Sequence, residues 1–178
     1  RAVAGALLGS ACASAQESIE SVFVEEERVQ LFCPDVRVVD NLTRYVGYRA
    51  DGQDISDVVV NAEMIGLSAA CLYDRGDPSV EVEVTLTMEV TKGPANASNI
   101  ADFAYFVAVL DGDGQIVGKE IFPTRFEFPQ GQLAVQVVEP LKQTIPLSTL
   151  EAGQDYRILI GYQLTREQLD EALRQAGG

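Results

Sequence analysis

The stretch VEVEVTLTMEVT, residues 80–91, alternates apolar and polar side chains without a break. Its apolar positions are Val80, Val82, Val84, Leu86, Met88 and Val90, and Glu or Thr occupies every other position. Successive side chains of a β-strand point to opposite faces, so this period of two predicts a strand with one face in a core and the other in water. Burial of six such side chains would contribute on the order of 10 kcal/mol, so we expect this strand to be central.

Further stretches are rich in β-branched and aromatic residues and are separated by turn sequences such as DRGDP (74–78) and KGPANAS (92–98). The predicted strands are 36–39, 57–67, 70–73, 103–110, 116–128, 133–145 and 156–164. The chain does not alternate strands with helices. The pattern therefore predicts a mainly β fold, an antiparallel immunoglobulin-like β-sandwich of about seven strands.

The carboxy end changes to a helical period. In LTREQLDEALRQAGG, residues 164–178, Thr165 is placed as an N-cap and Gln168 as the N3 residue of a capping box, which predicts a short C-terminal helix. Leu169, Leu173 and Ala176 would form a narrow apolar stripe on it. This stripe can dock on the sandwich or bind a partner, and we assign it as a possible partner-binding site.

Composition excludes several kinds of function. The chain has 27 acidic and 13 basic residues, a formal charge of −14, which repels a nucleic-acid backbone. It has no His, so Ser-His-Asp and Cys-His catalysis and the usual catalytic zinc sites are not available. The acids mostly alternate with apolar residues or lie in turns. We therefore predict no catalytic residue, no metal site, no cofactor and no small-molecule substrate.

The amino end begins with RAVAGALLGSACASAQ, residues 1–16, an apolar run that is short for a membrane span. It is typical of the tail of a signal peptide. Three interpretations stay open: cleavage at the A-x-A site of residues 13–15, lipidation of Cys12 at a lipobox-like LLGSAC, or an uncleaved anchor. The predicted organisation is a signal or anchor segment (1–15), an acidic linker (16–32), the sandwich (33–164) and the C-terminal helix with its tail (165–178).

Cysteine content supports export. If Cys12 is lipidated or removed, Cys33 and Cys71 remain as an even pair that an oxidising compartment would let bridge. Such a bridge would add roughly 3 to 4 kcal/mol on the chain-entropy model. The alternative is two buried free thiols in a cytosolic protein.

The stretch VLDGDGQIVGKE, residues 109–120, has the aspartates of a calcium loop. An EF-hand that began at Asp111 would need Gly at its sixth position and an acid at its twelfth, and these positions hold Ile116 and Phe122. A DGDG sequence between two apolar runs is instead typical of a hairpin turn. We predict a hairpin here.

Four segments together carry a family resemblance: CPDVRVVDNLTRYV, DISDVVVNAEMIGLSAACLYD, FAYFVAVLDGDGQIVGKEIF and DYRILIGYQLTREQLDEALR. They resemble a family of uncharacterised alphaproteobacterial exported proteins, many of them lipoproteins. The family pattern is matched by Cys33, Cys71, residues 62–66 and residues 161–169. The resemblance covers about residues 33–174 and implies a periplasmic sandwich that can be tethered to the outer membrane. It implies no activity.

Two classes of function follow. The first is a non-enzymatic extracytoplasmic binding or assembly module, an envelope-tethered accessory subunit of a larger membrane-associated complex. Its partners would be the membrane, through an N-terminal lipid or anchor, and a protein of that complex. The alternative is an extracytoplasmic enzyme or ligand carrier that uses acidic residues. A deep pocket with convergent acids would favour the alternative, and flat sheets with one apolar patch the first.

Overall fold

The structure is a computed structural model that describes residues 30–50, 52 and 54–176, without the side chains of residues 175 and 176. The predicted signal or anchor segment with Cys12, and residues 16–29 of the acidic linker, lie outside the described residues.

The described part of the chain is mainly β. Its strands are β1 (Asp35–Val38), β2 (Arg44–Tyr48), β3 (Val58–Asp74), β4 (Ser79–Lys92), β5 (Ile100–Leu110), β6 (Ile116–Glu127), β7 (Ala134–Pro146) and β8 (Arg157–Tyr162). Short 3-10 helices lie at Asp40–Leu42, Ile55–Asp57 and Leu150–Asp155, and the helix α1 spans Arg166–Ala176.

The strands form two four-stranded sheets. We call them the β4 sheet, with order β2-β3-β4-β7, and the β5 sheet, with order β1-β8-β5-β6. All pairs are antiparallel except β1 with β8. The predicted β-sandwich is thus confirmed. An immunoglobulin constant domain also has two packed sheets, with strands ABED in one and CFG in the other. This chain shares the two-sheet architecture but distributes its strands between the sheets in a different order.

Strand β4 forms the centre of the core, as its alternation predicts. It lies between β3 and β7. Its inward side chains are at most 2% exposed: Val80, Val82, Val84, Leu86, Met88 and Val90. Inward residues of the β5 sheet, among them Tyr105, Ile158 and Ile160, belong to the same buried cluster.

Two features of the β4 sheet differ from the expectation. The predicted strands 57–67 and 70–73 are one strand, β3, which begins at Val58, because a bulge between Met64 and Gly66 absorbs the break in alternation. Strand β2 is an addition to the predicted set. It is an edge strand of five residues, and its register with β3 shifts at Gly47. It is a strand because residues 44–48 pair with residues 58–63 of β3.

Candidate interaction surfaces

The outer face of the β4 sheet is mainly polar, although Leu72 of β3 and Val138 of β7 are exposed on it. Its central strand presents Glu81, Glu83, Thr85, Thr87, Glu89 and Thr91, opposite in direction to the buried residues. Lys142 of β7 lies between two of these acids, with its Nζ 2.8 Å from Glu81 and 3.3 Å from Glu83. Hydrogen bonds to these carboxylates raise the pKa of the Lys142 ammonium. These ion pairs are exposed to water and contribute little to stability.

The outer face of the β5 sheet has an apolar patch, and the charged side chains around it include Asp35, Arg37, Asp102, Arg125 and Arg157. Because Phe103, Tyr105 and Val107 point into the core, the side chains between them point outward. The register places outward Phe106 beside Ile121, and Ala108 between Leu159 and Lys119. We call this surface the apolar face, defined by Phe106, Ala108, Val117, Ile121 and Leu159.

Solvent reaches a large part of the apolar face. Ile121 is 49% exposed and Val117 56% exposed, and Phe106 and Leu159 are half-buried. Its central charge is Lys119, whose Nζ lies 4.5 Å from the centroid of the Phe106 ring. A cation in this position is attracted by the ring quadrupole. The face therefore offers apolar area, one ring and one cation to a partner.

One end of the apolar face is covered by the 3-10 helix Asp40–Leu42. A Cβ atom added to Gly161 would lie 2.7 Å from Leu42 Cβ and 3.2 Å from Phe106 Cε1. Only a glycine lets Leu42 approach the sheet this closely. The rest of the face, toward β6, stays open.

The predicted partner-binding stripe lies on α1. Leu169 is 36% exposed and Leu173 48% exposed, whereas the side chain of Ala176 lies outside the described residues. The helix docks on its own domain by a different face, which carries Gln168 and Ala172. Docking and an available leucine stripe therefore coexist.

A groove of about 670 Å³ runs between α1, the 3-10 helix Asp40–Leu42 and β2. Its charged lining mixes signs: Asp40, Arg44, Glu167, Glu171 and Arg174. Arg44 pairs with Glu63 at 3.0 Å, and Arg174 pairs with Glu171. Backbone and side-chain hydrogen bonds at the start of the helix lower the pKa of Glu167.

The predicted disulfide is present. Cys33 bridges Cys71 of β3, with 5.7 Å between their Cα atoms. Beside it, the Tyr73 hydroxyl donates a hydrogen bond to the carbonyl oxygen of Phe32, 2.6 Å away. These two links attach residues 32 and 33, which precede β1, to the C-terminal end of β3.

The DGDG sequence forms the predicted hairpin. The Oδ1 atom of Asp111 accepts hydrogen bonds from the N–H groups of Asp113 at 3.0 Å and Gln115 at 2.9 Å. Gly114 has a φ of +79°, which favours glycine. Within residues 30–176, as far as the structure describes them, no three side chains of Asp, Glu or Cys converge as metal ligands. The carboxylate of Asp111 is engaged by the turn itself.

Sequence reasoning did not identify the apolar face. The signal for it is in FAYFVAVL, residues 103–110, where apolar residues occupy both phases of the alternation. A strand that is apolar on both faces is covered on both faces or exposes one of them for binding. The prediction of the sandwich used only the alternate residues of this stretch that point into the core.

Comparisons of the chain with protein-family models, with curated proteins and with solved structures found no match. Within the part of the chain that the structure describes, no helix has the length and apolar character needed to cross a membrane.

Proposed function

We propose that this protein is a non-enzymatic extracytoplasmic binding or assembly module, an accessory subunit of a membrane-associated envelope complex. The observation that carries the proposal is the contrast between the two outer faces. The central strand of one presents acids and threonines, whereas the other presents Val117 and Ile121 to solvent beside the half-buried Phe106. Exposed apolar surface bounded by polar residues is typical of protein interaction sites.

The compartment is part of the same proposal. The Cys33–Cys71 bridge is suited to an oxidising environment such as the periplasm. An N-terminal lipid on Cys12, or an anchor within residues 1–15, would hold the module at the membrane. The resemblance to alphaproteobacterial exported proteins supports this arrangement, with the sandwich presenting its apolar face to a neighbouring subunit.

Site-specific photo-crosslinking in the intact envelope tests the proposal. A crosslinking amino acid at Val117 or Ile121 should give a discrete adduct with one protein, and the same probe at Thr85 should not. Thr85 is the matched control because it is an exposed position at the centre of the opposite outer face.

The substitution Ile121→Glu should abolish the adduct formed from position 117, because it places a carboxylate on the apolar face, and Thr85→Glu should leave it intact. Equal crosslinking from both faces, or none from the apolar face, would contradict the proposal.

A further inference from the structure

Strand β3 has an open edge along part of its length. Strand β2 pairs with it only over residues 58–63, whereas β3 continues to Asp74. Beyond Glu63, no described strand pairs with the side of β3 that faces away from β4. The bridge of Cys33 to Cys71 occupies the far end of this edge. Residues 65–70 lie between the two, and we call them the open edge.

The open edge directs backbone hydrogen-bonding groups toward solvent. Met64 donates its N–H to the Thr43 carbonyl oxygen, 2.9 Å away and on the side opposite β4. Ile65 is the extra residue of the bulge, so the backbone N–H and C=O groups of Gly66 point toward β4. Those of Leu67 and Ala69 therefore point away from β4, toward the open edge. The surrounding side chains leave these groups accessible, since residues 68–70 are exposed and Ile65 is 47% exposed.

The open edge lacks the features that protect the other long edges of the sandwich. Charged side chains and prolines discourage the addition of another strand. The edge strands β6 and β7 carry Lys119, Pro123, Arg125, Pro140, Lys142 and Pro146. Residues 64–73 of β3 contain no charged residue and no proline. This part of the sheet is therefore suited to pair with another strand.

We propose that residues 65–70 of β3 accept an extended strand from a partner protein, and that this strand carries Lys or Arg on its outward face. Main-chain hydrogen bonds would supply the affinity. On the same outer face, Glu83 lies beside Ala70 and Glu81 beside Leu72, and these two acids share the cation Lys142, which leaves the pair with a net negative charge. A second copy would bring another charge of −14, so charge complementarity favours a basic strand.

The open edge would thus be a second binding surface, for a basic strand, and this proposal rests on the proposed binding function. Its test uses the full chain and a ten-residue synthetic peptide that alternates valine with lysine and threonine. The control peptide has glutamate in place of lysine. At saturation, the lysine peptide should slow hydrogen exchange of the Leu67 and Ala69 amides at least tenfold, and the glutamate peptide should leave them unchanged.

Two variants assign the peptide to the open edge. Ala69→Pro removes an outward N–H and leaves the pairing with β4, so it should weaken peptide binding at least tenfold. Ala70→Val changes only an outer-face side chain of the same segment and should keep the affinity within about twofold. If Ala69→Pro does not fold, Ala69→Lys places a charge at the same edge and should also weaken binding at least tenfold.

Several outcomes would overturn the inference. The first is that millimolar peptide leaves exchange unaltered, and the second is that it binds Ala69→Pro as well as it binds the unchanged chain. Slow exchange of Leu67 and Ala69 in the isolated monomer would mean that residues 1–29 already occupy the edge. Slow exchange that appears only in a concentration-dependent dimer would mean that a second copy does. None of these outcomes alters crosslinking from the apolar face, so the two proposals fail separately.

Discussion

The side-chain amide of Gln168 on α1 donates a hydrogen bond to the carbonyl oxygen of Val46 on β2, 3.0 Å away. The Oε1 atom of the same side chain accepts a hydrogen bond from the Thr165 N–H at 2.9 Å. The Gln168 N–H in turn donates to Thr165 Oγ1 at 3.3 Å, which completes the capping box. One residue thus both starts the helix and joins it to the sandwich.

We predict that Gln168→Ala lowers the free energy of unfolding by about 1 to 2 kcal/mol, because it removes the acceptor for the Thr165 N–H and the link to Val46 together. Urea unfolding measures the loss. Gln168→Glu is the matched control, because its carboxylate still accepts from the Thr165 N–H but cannot donate to Val46. It should lose less than the alanine variant, and equal losses would show that the capping bond contributes nothing.

Removal of the Cys33–Cys71 bridge should destabilise the domain strongly. The bridge closes a separation of 38 residues, for which the chain-entropy model gives about 4 kcal/mol. Denaturant unfolding of the double variant Cys33→Ser, Cys71→Ser should show this loss, and reduction of the unchanged protein should give a similar one. Mass spectrometry of the protein purified without reductant should find one linked peptide pair. Two alkylatable thiols in that sample would contradict the prediction.

Asn96 should be a stabilising residue of the loop between β4 and β5. Its Nδ2 atom donates to the carbonyl oxygens of Val59 at 3.1 Å and Ile100 at 2.8 Å, and the residue is only 6% exposed. Asn96→Ala would leave both acceptors without this donor, so thermal or urea unfolding should show a loss of about 1 to 3 kcal/mol. Ala97→Ser, at an exposed neighbouring position, should stay within about 0.5 kcal/mol. Similar losses in the two variants would contradict this role.

The same loop shows what sequence patterns could and could not predict. Gly93, Pro94 and Asn96 correctly marked a break between two strands, because glycine, proline and asparagine favour turns. The pattern did not show that Asn96 turns inward, since its acceptors include Val59, which lies 37 positions earlier. Local patterns predict elements, whereas contacts between distant segments depend on how the sheets assemble.

The limits of prediction for the candidate surfaces have the same cause. The α1 stripe could be predicted because its residues recur within one helix. The open edge could not, because it exists only where β2 ends opposite Glu63 and leaves the rest of β3 without that neighbour. The length of β2 depends on pairing across the sheet, which the sequence of either strand alone does not contain.

Alkaline pH should destabilise the fold through Tyr105. Burial, with smaller contributions from the charges of Glu139 and Glu120, raises the pKa of Tyr105 to about 12. The unfolded chain has the ordinary value of about 10, so the folded state binds more protons between these values. The stabilisation is complete below about pH 10 and is lost as the pH rises toward 12. Urea unfolding across this range should show a smaller decline for Tyr105→Phe than for the unchanged protein, and equal slopes would contradict the assignment.

Calcium should not stabilise this protein specifically, because Asp111 Oδ1 already accepts two backbone hydrogen bonds within the turn. A micromolar site at millimolar calcium would add about 4 kcal/mol, or roughly 10 °C in melting temperature. Thermal unfolding in calcium, magnesium and salt of matched ionic strength should instead give similar, modest increases, since each screens the charge of −14. Asp111→Asn keeps the accepting oxygen and should preserve the turn, whereas Asp111→Ala should cost about 1 to 2 kcal/mol. A large shift with calcium alone, abolished by Asp111→Asn and by Asp113→Asn, would make the hairpin a metal site.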